Sequence, residues 1–167
     1  MYKKLDISLS ELDFDKLKGS SSFGYPTFRE FSVIDMDYLF DTLSKQVTFD
    51  VMPTVNITEI KYPGATAHTD TWPSAINFYF DVGDDETFFW KEINVSPEPR
   101  QGLVFYDPKN LEQTGSFKAN KGDCYLLDVG NSIHSVKMYT PNTTRQILRL
   151  YWQELSFDQV LQNLKFS

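Results

Sequence analysis

"ITEIKYPGATAHTD", residues 57–70, is the stretch on which the fold reading turns. It begins with an alternating β-branched run, breaks at Pro63-Gly64, and leaves the break with His68 and Asp70 two positions apart. β-Branched residues suit a pleated strand, and a Pro-Gly pair punctuates one. If the backbone after the break is extended, His68 and Asp70 lie on one face and can share an ion. Acids are 23 of 167 residues, so a given histidine has an acid two positions on roughly one time in seven, and the pair alone decides nothing.

The same texture runs outward from it. "TVNITEIKY", "SAINFYFDV", "ETFFWKEINV", "GLVFYDP", "GSFKANK", "DCYLLDV", "IHSVKMY" and "RQILRLYWQEL" are short β-branched or aromatic runs cut by Gly, Pro, Asn and Asp. Upstream, "SLSELDFDKLKG" predicts a short helix and "SSSFGYPTF" a loop. Asp35 is placed to cap a helix carrying Met36, Leu39, Phe40 and Leu43 at i, i+3, i+4 and i+7. Ser156 is placed to cap a closing helix with Val160, Leu161 and Leu164 on one face. Roughly eight antiparallel strands flanked by helices predict a mostly β fold, a double-stranded β-helix or jelly roll, over an immunoglobulin-like sandwich. The expected organisation is one domain: a helical support over 1–50, the jelly-roll core over 53–155, and a C-terminal helix over 156–167.

Composition narrows the function classes. The formal charge is -7, with 16 Lys+Arg against 23 Asp+Glu, which leaves no basic stripe for a phosphate backbone and argues against nucleic acid as a partner. No signal-like or membrane-spanning apolar run occurs, so the expectation is a cytoplasmic protein with no membrane partner. The single cysteine, Cys124, has no internal disulfide partner and reads as a buried strand residue.

His68 and His134 are the only histidines, and both fall at strand edges. Two imidazoles and a carboxylate on one face of a metal suit a ferrous oxygenase, which needs open positions for a cosubstrate and dioxygen; zinc accepts the same donors. Over residues 56–153 the chain resembles the 2-oxoglutarate and Fe(II)-dependent dioxygenases, in particular their prolyl 4-hydroxylase-like branch. "ITEIKYPGATAHTD" is similar to that family's strand, Tyr-Pro-Gly turn and HxD. "KGDCYLLDVGNSIHSV" is similar to its Gly-Asp strand and distal histidine, and "TTRQILRLYWQ" to its last strand.

The resemblance implies that His68, Asp70 and His134 are iron ligands. It implies that Arg145, eleven residues after His134, pairs with the C5 carboxylate of 2-oxoglutarate, dioxygen being the other cosubstrate. Tyr62 and Tyr79 match family tyrosines whose hydroxyls can bond the cosubstrate, or else they are packing aromatics. Ile147 stands where many family members carry a small hydroxyl residue. Arg149 is the alternative anchor, because a simple hairpin through "TPNTT" would pair Val136 with Arg149 and Thr140 with Arg145. Residues 81–108, including the aromatic run Thr87 to Trp90, depart from the family, and this stretch together with the N-terminal loop is expected to set the substrate, whether a peptide side chain such as proline or a small molecule. Two other readings stay open: a jelly-roll module that binds metal without turnover, and a cupin-type metalloenzyme.

Overall fold

The computed structural model describes residues 1–94 and 102–167. The elements run in chain order β1 (Tyr2–Leu5), α1 (Phe14–Leu17), β2 (Lys18–Tyr25), β3 (Phe28–Val33), α2 (Met36–Ser44) and β4 (Val47–Phe49). The block carrying His68 and Asp70 lies in the series β5 (Thr54–Lys61), β6 (Gly64–Thr69), β7 (Ser74–Asp81), β8 (Asp85–Glu92), β9 (Val104–Phe105) and β10 (Leu111–Phe117). The chain closes with β11 (Cys124–Leu127), β12 (Ile133–Met138), β13 (Thr144–Trp152), α3 (Phe157–Asn163) and β14 (Leu164–Phe166).

A seven-stranded sheet in the order β1-β11-β7-β13-β5-β3-β2 faces a five-stranded sheet in the order β10-β8-β12-β6-β9, and a small third sheet pairs β14 with β4. This is a jelly roll. The central strands β7, β11 and β13 of the larger sheet are buried on both faces, which is why they read as near-continuous apolar runs, whereas β1 and β2 are largely exposed and β3 partly so. On β13, Leu148, Leu150 and Trp152 join Leu39 and Leu43 of α2 and Phe157 and Val160 of α3 in a core outside the sandwich. Ile147 and Tyr151, on the opposite face, join Tyr79, Tyr125 and Val136 between the sheets. α2 is capped by the Asp35 side chain, and α3 by a Ser156–Gln159 capping box. Cys124 is buried in the outer core, and burial pushes its thiol well up.

Four expectations need correction. Residues 1–50 are not chiefly helical: they supply β1, β2, β3 and β4 beside the four-residue α1 and the nine-residue α2. The Ser- and Gly-rich "SSSFGY" is strand β2, because β3 pairs with β5 and offers β2 its other edge, and tertiary pairing overrides the weak propensity. The C-terminal helix stops at Asn163, and Leu164 begins β14 opposite Phe49. Finally, β12 and β13 do not form a hairpin. β12 pairs with β6 and β8 in the smaller sheet, while β13 pairs with β5 and β7 in the larger one, so the "TPNTT" turn carries the chain from one sheet to the other.

Candidate metal centre

The connection that broke the expected hairpin builds the site. With β12 and β13 in opposite sheets, His134 and the arginines of β13 face each other across the sandwich instead of lying side by side. His68 of β6 is the cross-strand partner of His134 on β12. That register depends on Gly64, whose φ is +118° and whose Cβ position lies 2.0 Å from the Val136 carbonyl oxygen. Only glycine lets β6 approach β12 this closely. Asp70 follows β6 directly, and its amide donates to the Val129 carbonyl at 2.9 Å.

The candidate ligand atoms of His68, Asp70 and His134 all lie within 4.8 Å of one another. His68 Nε2 is 3.3 Å from Asp70 Oδ1, and His134 Nε2 is 4.0 Å from Asp70 Oδ2. His68 Nδ1 donates to the Thr66 carbonyl at 2.6 Å and His134 Nδ1 to the Ser132 carbonyl at 3.0 Å. Each ring proton is therefore held on Nδ1, and both Nε2 lone pairs point at the cluster, the tautomer a metal requires. Burial pushes His134 down to about 4, with the neighbouring His68 adding to the effect against Asp70, so the imidazole is neutral. Burial alone would raise the Asp70 carboxyl, but the His68 and His134 rings beside it and the Arg149 guanidinium outweigh it and hold it well below the usual range. Asp70 Oδ2 is buried and has no hydrogen-bond partner. Two imidazoles with Nε2 turned to the cluster, an ionised carboxylate and its orphaned oxygen fit a divalent cation, since metal binding demands deprotonated ligand atoms.

These groups sit in the wall of a cavity of about 640 Å³ between the sheets. Arg149 lies beside the ligands, with Nη1 3.9 Å from Asp70 Oδ2 and Nε donating to Asn77 Oδ1 at 3.3 Å. Arg145 is four residues back on the same face of β13, about 13 Å along a strand, and only 1% exposed. Its Nη2 donates to Thr87 Oγ1 at 2.9 Å, and its guanidinium lies 4.6 Å from the Tyr79 ring centroid. Nη1 is ion-paired with Asp85 Oδ1 at 3.0 Å outside hydrogen-bond alignment, while Arg145 Nε and the Tyr79 hydroxyl are buried with no hydrogen-bond partner. Burial raises the Asp85 carboxyl despite Arg145.

Among the residues singled out from sequence, His68, Asp70, His134, Arg145, Arg149, Tyr79 and Ile147 all line this cavity. Tyr62 is not in its wall; the side chain is 44% exposed, and Pro63 and Gly64 take the lining position. Of Thr87 to Trp90, Thr87 alone lines the cavity, while Phe89 packs in the inner core and Trp90 Nε1 donates to Ser135 Oγ. Residues 95–101 of the stretch expected to set the substrate lie outside the described residues. Sequence reasoning missed Asp85, Asn77 and Glu30. A signal for Asp85 existed: β8 alternates, with Asp85, Thr87 and Phe89 buried and their neighbours partly exposed, so an acid opens a strand's inward face.

Fold and site together define a jelly roll carrying a buried two-histidine, one-carboxylate cluster of metal-ligand geometry. No protein-family model and no curated protein matches the chain. Solved structures that it resembles include ycfD from E. coli, at 12% identity and a TM-score of 0.48 over 76% of this chain and 34% of that one. Another is vicilin from hazelnut, Corylus avellana, at 12% identity and 0.47 over 83% and 32%. The chain thus spans about a third of the length of either. No helix among the described residues is long and apolar enough to cross a membrane.

Proposed function

We propose that this protein is an Fe(II)- and 2-oxoglutarate-dependent oxygenase that hydroxylates a small molecule or a peptide side chain. The observation that supports it most is a pairing within one cavity: a His68–Asp70–His134 cluster at one end, and at the other a buried arginine that is ion-paired to Asp85 and has an Nε with no hydrogen-bond partner. Iron, 2-oxoglutarate and dioxygen bound together there would supply oxidative hydroxylation of a C–H bond, with succinate and carbon dioxide as coproducts.

The chain's own residues do the positioning. His68 and His134 offer Nε2 because the Thr66 and Ser132 carbonyls hold their Nδ1 protons. Arg145 and the Tyr79 hydroxyl offer donors to the far carboxylate of a five-carbon diacid, and the planar guanidinium can meet it bidentately. Arg149 stands where it would contact an anionic group near the metal and steady Asp70. The apolar walls contributed by Ile60, Leu127, Val136 and Ile147 exclude water around the site. Calorimetry on Mn(II)-loaded protein tests the pairing: 2-oxoglutarate should bind well above both glutarate, which lacks the chelating oxo group, and 2-oxobutyrate, which lacks the far carboxylate. Equal binding of all three, or of none, would sink the reading.

A metal-binding module without turnover is the second reading, favoured by Asp85 already facing Arg145 and by Ile147 in place of a hydroxyl. It predicts metal uptake with no preference among the three acids.

A further inference from the structure

Among the described residues Glu30 is the acid of the cavity wall that lies outside the metal cluster; its carboxyl is raised by burial, against which the Arg149 charge and a hydrogen bond from Asn56 act. Glu30 projects from β3 two residues from Phe28, hence from the same face, into the wall that also contains Arg149 and Asp70. Phe23 of β2 is its cross-strand partner, and Tyr25, Phe28, Trp72 and Phe105 line the same cavity. Phe23 meets Tyr25 edge-on at 5.1 Å and Phe28 at 6.5 Å, while Phe23, Tyr25 and Phe105 keep much of their surface exposed. Trp72 is stacked on Tyr151 at 4.2 Å.

Charge adds a second constraint. With Arg145 ion-paired to Asp85, which lies outside the cavity wall, Glu30 and Asp70 outnumber Arg149 by one formal charge, and a divalent metal with a dicarboxylate would cancel each other, so the negative excess persists with the site empty or loaded. A half-buried carboxylate is stabilised by a cation, and aromatic faces around it attract the same cation. From this we infer that the primary substrate of the site is a monocation on an apolar stem, an ammonium or guanidinium comparable to a lysine or arginine side chain. Glu30 contacts the charge, and Phe23, Tyr25, Phe28 and Trp72 enclose the stem. The inference takes the site to be the oxygenase's, and it names the substrate class within that reading.

Calorimetry under nitrogen tests it, on protein with Fe(II) and 2-oxoglutarate and again on metal-free protein. The probes are the N-acetyl N-methylamides of lysine, arginine, norleucine and glutamate. The lysine or arginine probe should bind at least tenfold tighter than norleucine, and glutamate weakest. Glu30→Gln should reduce the preference below threefold, and Glu30→Asp should keep most of it. Free L-lysine against the pentapeptide Gly-Ala-Lys-Ala-Gly then assigns the source of the cation, whichever binds tighter. If Glu30→Gln fails to fold, Tyr25→Ala at its exposed position should weaken the cationic probes severalfold. A wild-type preference below threefold, no binding by any probe, or an undiminished preference in Glu30→Gln overturns the inference. The oxygenase reading fails separately: a cation preference in metal-free protein that cannot chelate iron and 2-oxoglutarate would leave cation recognition at this cavity standing, while the oxygenase reading, and with it the cation's role as its substrate, would be lost.

Discussion

Arg145→Met preserves volume and removes a charge, so its effects separate cleanly. In the folded protein it strands Asp85, which is 2% exposed and has Arg145 as its facing cation. Breaking a buried pair from one side costs about 3–5 kcal/mol, most of it the burial of the remaining charge. Because burial already raises the Asp85 carboxyl, part of that cost is relieved by protonation and the loss should shrink as pH falls. Adding Asp85→Asn should restore most of the stability, since no charge then remains to desolvate. Cosubstrate affinity should behave differently. Losing a charge-assisted pair of about 1.5–3 kcal/mol weakens 2-oxoglutarate about ten- to hundredfold, and Asp85→Asn should not repair it. Urea melts give the first quantity and calorimetry of 2-oxoglutarate on Mn(II)-loaded protein the second. A double variant that binds 2-oxoglutarate like wild type would refute Arg145 as the anchor, and undiminished stability in Arg145→Met would refute the buried pair.

Asp85→Asn alone should tighten 2-oxoglutarate, because it removes a carboxylate that competes for Arg145, and weaker binding in calorimetry would show that Asp85 orients the arginine instead. Metal-free protein should lose about 1.4 kcal/mol of stability per pH unit as pH falls from 6.5 towards about 4. The sign follows from His134: the unfolded chain takes up the proton near 6.5 while the folded chain refuses it until about 4. Asp70 adds its own loss only below the unfolded carboxylate value of 3.8. Urea melts at pH 7.5, 6 and 5 on wild type and His134→Gln measure this, and an equal slope in both would contradict it. Gly64→Ala should cost about 2 kcal/mol or more, from positive φ and the clash with the Val136 carbonyl. It should also lower metal affinity by moving His68 off His134, and a stable variant with unchanged affinity would show that the β6–β12 register does not depend on this glycine.

Much of the jelly roll could be read from residues 53–155 because local punctuation and β-branched runs mark each strand there. The ligand trio could be read too, since spacing and resemblance agreed on His68, Asp70 and His134. What stayed hidden was non-local. "TPNTT" has the composition of a hairpin turn, and nothing within it records that β12 and β13 belong to different sheets. β2 looks like a loop until β3 supplies its partner. Glu30 and Asn77 become site residues only because β3 and β7 turn one face of the larger sheet towards the metal cluster. Tyr62 shows the converse, a motif position whose side chain the structure turns to solvent.

The most direct test of the oxygenase account is anaerobic titration of the protein with Fe(II) and 2-oxoglutarate, followed in the visible region. A weak charge-transfer band should appear that saturates at one iron per chain, is lost in His134→Ala, and needs more 2-oxoglutarate to develop in the Asp85→Asn, Arg145→Met double variant. A wild-type protein that shows no band, or a His134→Ala variant that keeps it, would mean that this site does not chelate iron and 2-oxoglutarate together.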